Sequence, residues 1–217
     1  MKDINQFQAV LFDLDGTITN PQEGIINSII YAAHKFGFTD NNLKGELNFF
    51  IGPPLLHSFM KRYHVNKDKA YEMIKEFRVY YAKQGIFECY LYKGIEESIQ
   101  YLHQNEIFLS LATSKPVGFA NQLLVHFGLD KYFSFTAGAL MDGQRTDKKE
   151  VIQFALDNIP GFEKEKILMI GDREFDIKGG KYHGLKTAWA KWGFGSEAEI
   201  SPLNPEFIYS SASEMIL

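Results

Sequence analysis

Ala9-Val10-Leu11-Phe12-Asp13-Leu14-Asp15-Gly16-Thr17 is a run of four apolar residues closed at once by two acids, a glycine and a hydroxyl. An apolar run this short and unbroken suits a strand covered on both faces, since a strand with one wet face would alternate. Ile107 to Ala112, Ile167 to Ile170 and Thr187 to Ala190 have the same character, and Tyr132 to Ala137 is a fifth candidate. Between them, Val117 to Phe127 and Val151 to Ile159 carry apolar residues at helical spacing, and Thr146 or Asp147 can cap the second. Strand and helix alternate, which predicts an α/β class built on a Rossmann-like parallel sheet.

The alternation breaks once. About 90 residues separate the first two runs, where a plain crossover needs about a dozen. Within that interval Ile25, Ile26, Ile29, Ile30 and Ala33 share one helical face before Gly37. Leu55, Leu56, Phe59 and Met60 follow Gly52-Pro53-Pro54, and Ala70, Met73, Ile74 and Phe77 with Tyr80 or Tyr81 make a third amphipathic stretch. The expected organisation is a core of residues 1–20 and 91–217, with an α-helical cap domain, residues 21–90, inserted between the first and second core strands.

The 217 residues are 45% hydrophobic, enough for a sizeable core. A net charge of -4 gives no reason to expect a nucleic-acid polymer or an acidic membrane as partner, because such binding rests on clustered Lys and Arg. The expected partner is a small molecule, bound by a monomer or homodimer. The single cysteine, Cys89, cannot form an intramolecular disulfide, which fits a reducing compartment. Met1 to Gln8 is polar and lacks the basic-then-apolar pattern of a leader. No apolar run approaches the roughly 20 residues that span a bilayer, so a cytoplasmic location is expected.

Polar groups collect where the buried strands end. The first run closes with Asp13 and Asp15, the second with Thr113-Ser114-Lys115, and the third with Gly171-Asp172 and then Asp176. In open parallel sheets ligands bind outside the carboxyl ends of the strands, so these groups should converge. Asp13, Asp15 and Asp172 together would repel one another unless a cation neutralised them, and a hard oxygen donor set suits magnesium. Magnesium keeps positions for substrate phosphate, so a phosphorylated substrate is its natural companion. The hydroxyls of Thr113 and Ser114 and the ammonium of Lys148 can supply the remaining partners of that phosphate. Asp13 can attack phosphorus. Asp15, one step further away, can protonate the leaving oxygen and then deprotonate water. Gly16 permits the sharp turn and Thr17 can anchor it by hydrogen bonding. A turn after a strand accounts for Asp15-Gly16 but not for a second acid closing a buried strand. Phe49, Phe50, Phe87, Tyr90, Tyr92, Trp189 and Trp192 read as packing residues, and the histidines are scattered without metal-ligand spacing.

In order along the chain, Asp13-Leu14-Asp15-Gly16-Thr17, Thr113-Ser114-Lys115, Lys148, and Gly171-Asp172 with Asp176 resemble the four motifs of the haloacid dehalogenase-like hydrolases. The resemblance covers nearly the whole chain. It implies a magnesium-dependent phosphatase in which Asp13 is the nucleophile, Asp15 the general acid and base, Thr113 and Ser114 bind phosphate, and Lys148 neutralises charge. It further implies metal contacts from Asp13, Asp172 and the backbone carbonyl of Asp15, with Asp176 behind them. Arg145 and Lys149 compete with Lys148 for the third motif; Lys148 is preferred because Val151 and Ile152 then match the apolar residues that follow the family's lysine. The helical insertion, Thr113-Ser114-Lys115-Pro116 and the tail through Lys191-Trp192-Gly193-Phe194-Gly195 are most similar to the phosphoglycolate phosphatase and 5'-nucleotidase-like branch. A phosphomutase of the β-phosphoglucomutase type, or an idle metabolite-binding protein, are the alternatives.

Overall fold

The computed structural model describes residues 4–40 and 46–216; residues 1–3, part of the stretch Met1 to Gln8 read above, lie outside the described residues. The chain divides into two compact units, residues 1–20 with 91–217, and Pro21–Tyr90.

The first unit is built on six parallel strands, β1 (Ala9–Phe12), β4 (Phe108–Pro116), β5 (Phe135–Ala139), β6 (Ile167–Gly171), β7 (Lys186–Ala190) and β8 (Phe207–Tyr209), in the order β5-β4-β1-β6-β7-β8. Two further short strands, β2 (Thr19–Asn20) and β3 (Tyr90–Leu91), pair with each other. β1 and β6 are buried at every residue, which is why their sequences are continuously apolar. One face of the sheet packs on α6 (Lys148–Asn158): Ala9, Leu11, Ala112, Ala137 and Met169 meet Val151, Ile152 and Ala155. Each Leu or Ile buried this way contributes roughly 1.5–3 kcal/mol. The other helices of this unit are α4 (Ile95–Gln104), α5 (Val117–His126), α7 (Glu174–Tyr182) and the single turn α8 (Glu197–Ile200).

The strand order turns on β1. After β1 the chain builds β4 and β5 on one side, then returns to β1 and builds β6, β7 and β8 on the other. Phe12 lies opposite both Leu111 and Ile170, so Asp13 emerges level with Ala112 and Gly171. A reversal of this kind opens a crevice at the carboxyl ends of the central strands.

The second unit contains α1 (Gln22–Lys35), α2 (Leu55–Tyr63) and α3 (Lys67–Lys83). Its core includes an aromatic cluster: Phe59 stands 5.2 Å from Phe50, 5.9 Å from Tyr63 and 6.5 Å from Phe77 between ring centroids. Asn66 caps α3 by accepting Lys69 N–H at 2.9 Å. Asp40 accepts from Arg62 Nη2 and from Tyr63 Oη, each at 2.8 Å. Burial alone would raise the Asp40 carboxyl, but these two donors outweigh it and hold it below its usual value.

Several expectations need correction. The run Tyr132 to Ala137 begins as a 3-10 turn, Asp130–Tyr132, and pairs as a strand only from Phe135. β8 and α4 were not foreseen. β8 has three residues, too few for a periodic signal; α4 was legible, since Ile95, Ser98, Ile99 and Leu102 form a buried helical stripe. Phe49, Phe87 and Tyr90 are 38%, 45% and 60% exposed, so among the aromatics read as packing residues these three are surface groups. No described helix is long and apolar enough to cross a membrane.

Candidate active site

Three carboxylates meet at the end of β1. Asp13, one residue past β1, Asp172, one past β6, and Asp176, in the first turn of α7, offer ligand oxygens all within 4.8 Å of one another. Their closeness follows from the parallel pairing of β1 with β6, continued by Asp13 N–H donating to Ile170 O at 2.9 Å. Asp176 reaches back because its Oδ2 accepts Arg173 N–H at 3.1 Å at the start of α7. Gly171 makes that possible: a Cβ there would lie 2.1 Å from Asp176 Cγ.

One ammonium serves this group. Lys148, first residue of α6, donates from Nζ to Asp13 Oδ1 at 2.7 Å and to Ala112 O at 2.9 Å, and lies 2.8 Å from Asp176 Oδ1. Burial works against its charge, yet Asp13 and Asp176 outweigh it and hold the ammonium above its ordinary range. Burial also pushes Asp176 up to about 6 despite Lys148. Burial, and then the neighbouring Asp176 and Asp13, raise Asp172 well above the carboxylate range; Phe194 N–H, donating to Asp172 Oδ2 at 2.8 Å, only partly offsets this. Asp172 Oδ1 is buried with no hydrogen-bond partner among the described residues. Three clustered carboxylates with one ammonium and an unpartnered buried oxygen fit a divalent cation. Of the three acid side chains, Asp13 is 11% exposed while Asp176 is 1%, so Asp13 is open to an incoming group and Asp176 is not.

Asp15 is not in that cluster. Gly16, at φ +90°, turns the chain, and Thr19 N–H closes the turn on Leu14 O at 2.9 Å. The Asp15 carboxylate instead takes both its oxygens to Lys115 Nζ, at 2.9 and 2.7 Å. Thr17 and Thr19 both anchor the turn: Thr17 N–H donates to Leu14 O at 3.3 Å and the Thr19 hydroxyl lies 3.4 Å from the same oxygen, while Thr17 Oγ1 has no partner among the described residues. Gly16 is also a matter of space, because a Cβ there would stand 2.2 Å from Asp172 Oδ2.

Thr113 is buried on β4 and its Oγ1 accepts Lys115 N–H at 3.2 Å, leaving its own proton to donate. Ser114 Oγ donates to Thr146 O at 3.3 Å, tying the end of β4 to the approach to α6. Arg145 donates to Gly138 O at 2.8 Å and lies 3.7 Å over the Phe154 ring, and Lys149 sits over Tyr182. Lys148 alone of the three competing cations meets Asp13.

Three participants were assigned no role in the site by the sequence. Lys115 stood in the quoted Thr113-Ser114-Lys115 segment, and a charge closing a buried strand was itself a signal. Trp192 Nε1 donates to Thr17 O at 3.0 Å, and Phe194 reaches Asp172 through its backbone; for these no local signal exists.

The family model described as haloacid dehalogenase-like hydrolase matches residues 10–190. A 5'-nucleotidase of Pseudomonas aeruginosa is 38% identical over 200 residues, 92% of this chain and 90% of that one. The tyrosine-protein kinase PtkA of Mycobacterium tuberculosis is 34% identical over 87% of this chain and 63% of its own length. Among solved structures, a putative phosphatase from Clostridium difficile superposes with a TM-score of 0.89, at 40% identity and covering 100% of both chains.

Proposed function

Since the chain belongs to the haloacid dehalogenase-like hydrolases, we propose that it is a magnesium-dependent phosphatase that hydrolyses a small phosphate monoester through an aspartyl-phosphate on Asp13. The observation that carries this is the Asp13 carboxylate: it is the accessible edge of a buried acid cluster, held at 2.7 Å by Lys148.

Asp13 Oδ attacks phosphorus as the bond from phosphorus to the leaving oxygen breaks, and that oxygen takes a proton from Asp15. Asp15, now a carboxylate, takes a proton from water; the water oxygen attacks phosphorus, and the Asp13–phosphoryl bond breaks to give inorganic phosphate. Lys148 offsets charge on Asp13 and on the phosphoryl oxygens, and Thr113 donates its hydroxyl to those oxygens, whereas the Ser114 hydroxyl is engaged by Thr146 O. Bound through Asp13, Asp172 and the Asp15 carbonyl, magnesium would supply further charge neutralisation to the phosphoryl group. Asp176, engaged with both Lys148 and Arg173 N–H, serves to hold Lys148. Residues 21–90 form a separate helical unit, and substrate choice is assigned to it.

The 5'-nucleotidase and phosphatase relatives support hydrolysis. The relative named a tyrosine kinase makes the phosphoryl acceptor a point to measure. The test is p-nitrophenyl phosphate turnover with and without magnesium, followed by a screen of phosphorylated metabolites. Wild-type protein should release inorganic phosphate only with the cation, and Asp13→Asn should lose at least about 1,000-fold in kcat. An Asp13→Asn protein that still turns over in magnesium refutes the mechanism. Return of the phosphoryl group to a sugar bisphosphate would make it a mutase, and binding without turnover an idle metabolite-binding protein.

A further inference from the structure

We infer that His183 and Gly179 are positioning residues for Lys148: one face of α7 fixes where the Lys148 ammonium stands. The inference deepens the phosphatase reading above, in which that ammonium offsets charge on Asp13.

Lys148 has a narrow target. Its Nζ meets Asp13 Oδ1 at 2.7 Å, Asp176 Oδ1 at 2.8 Å and Ala112 O at 2.9 Å. Asp176, Gly179 and His183 approach the start of α6 together, because spacings of three and seven residues put them on one helical face. Asp176, in the first turn of α7, holds the ammonium. Gly179 lies against the stem of the lysine: a Cβ there would stand 3.1 Å from Lys148 Cγ and 2.9 Å from Ile152 Cδ1. His183, one residue past the helix and buried, brings its Nε2 to 2.9 Å from Lys149 O, with its ring edge-on to Tyr182. A carbonyl only accepts, so Nε2 carries the proton in this contact. Lys149 is thereby held at both of its backbone groups, the N–H by Asp147 at 2.8 Å and the carbonyl by His183. A lysine free in solvent absorbs a shift of its backbone by rotating its flexible stem. Here the stem is buried against Gly179, so a displacement of the first turn of α6 carries through to Nζ. Both residues act through Lys148 and not on the reacting atoms.

The experiment compares wild-type, His183→Leu, His183→Gln and Gly179→Ala proteins by two readouts. The first is the heteronuclear NMR spectrum of the lysine ammonium groups without metal or substrate, in which the Lys148 signal is identified by its absence from Lys148→Met. That signal should move in His183→Leu and in Gly179→Ala, where the added methyl presses on Lys148 Cγ. It should return towards its wild-type position in His183→Gln, whose amide can donate to Lys149 O. The second readout is p-nitrophenyl phosphate hydrolysis in magnesium. His183→Leu and Gly179→Ala should each lose about 10-fold in kcat, since a misplacement of about 1 Å costs roughly 100-fold and the shift expected is a fraction of that. KM should change less, and His183→Gln should recover most of the loss. A Lys148 signal unmoved in both His183→Leu and Gly179→Ala overturns the inference, and a signal that moves in one alone removes the other residue from the role. A kcat loss that His183→Gln shares in full marks a packing residue and overturns the role of His183. If His183→Leu does not fold, His183→Asn, whose shorter amide does not reach Lys149 O, takes its place. Absence of turnover by the wild type overturns the phosphatase reading, and the spectrum still decides this inference.

Discussion

A carboxylate buried beside two others stays ionised only where positive charge reaches it, and at Asp172 the protein supplies little. Its Oδ1 has no partner among the described residues, and burial with the neighbouring acids raises its carboxyl well above the usual range. The metal-free fold therefore holds a proton on Asp172 more tightly than a free carboxyl does, and cation binding loosens it. Magnesium affinity should rise with pH, with proton release on binding visible by calorimetry in buffers of different ionisation enthalpy; a pH-independent affinity would contradict this assignment. The stability consequence has a definite sign. Because the folded carboxyl lies above its unfolded value, the fold holds the proton more tightly than the unfolded chain. Stability of the metal-free protein thus falls as pH rises from the unfolded value through the folded one. Asp172→Asn keeps the acceptor for Phe194 N–H and removes the charge. At pH 8 without metal it should be more stable than wild type, by about 1–3 kcal/mol in urea unfolding, while losing magnesium-dependent activity.

At the scale of single elements, α6 carries both packing and charge. Val151, Ile152 and Ala155 seat it on the sheet, and Asp147 caps it by accepting Lys149 N–H at 2.8 Å. The cap fixes the first turn, and Lys148 is the first residue of that turn. Asp147→Ala should cost about 1 kcal/mol of stability, roughly 2–4 °C in Tm. It should also lower kcat/KM more than its stability cost would suggest, because Lys148 loses its fixed approach to Asp13. A calorimetric scan alongside the kinetics checks both, and an unchanged kcat/KM would separate the cap from the site. The helix itself is legible from Val151 to Ile159, and Asp147 is one of two residues placed to cap it. Its start was set by the cap, not by the apolar stripe, so the helix begins three residues earlier, at Lys148.

Across the whole molecule, the acid cluster and the aromatic cluster around Phe59 fall in different units. The acid cluster and Lys148 belong to residues 1–20 and 91–217, whereas Phe50, Phe59 and Phe77 pack within the core of Pro21–Tyr90. Substitutions at Pro54 or His57 should therefore change relative kcat/KM across phosphate esters while leaving magnesium dependence intact; altered stability with constant relative rates would remove substrate choice from this unit. The order β5-β4-β1-β6-β7-β8 explains why residues scattered over 160 positions converge, since Asp13, Thr113 and Asp172 all stand at carboxyl ends of β1 and its two neighbours. The sequence by itself determined which strands are buried and which residues close them, because continuous apolarity and its abrupt end in acids are local properties of the chain. Only the tertiary structure decided that Lys148 and not Arg145 or Lys149 meets Asp13, that Asp176 joins the carboxylate cluster, and that the Asp15 side chain turns away to Lys115. Those outcomes depend on the register of parallel strands and the approach of helices across 100 residues or more, where a shift of a few ångströms exchanges one partner for another.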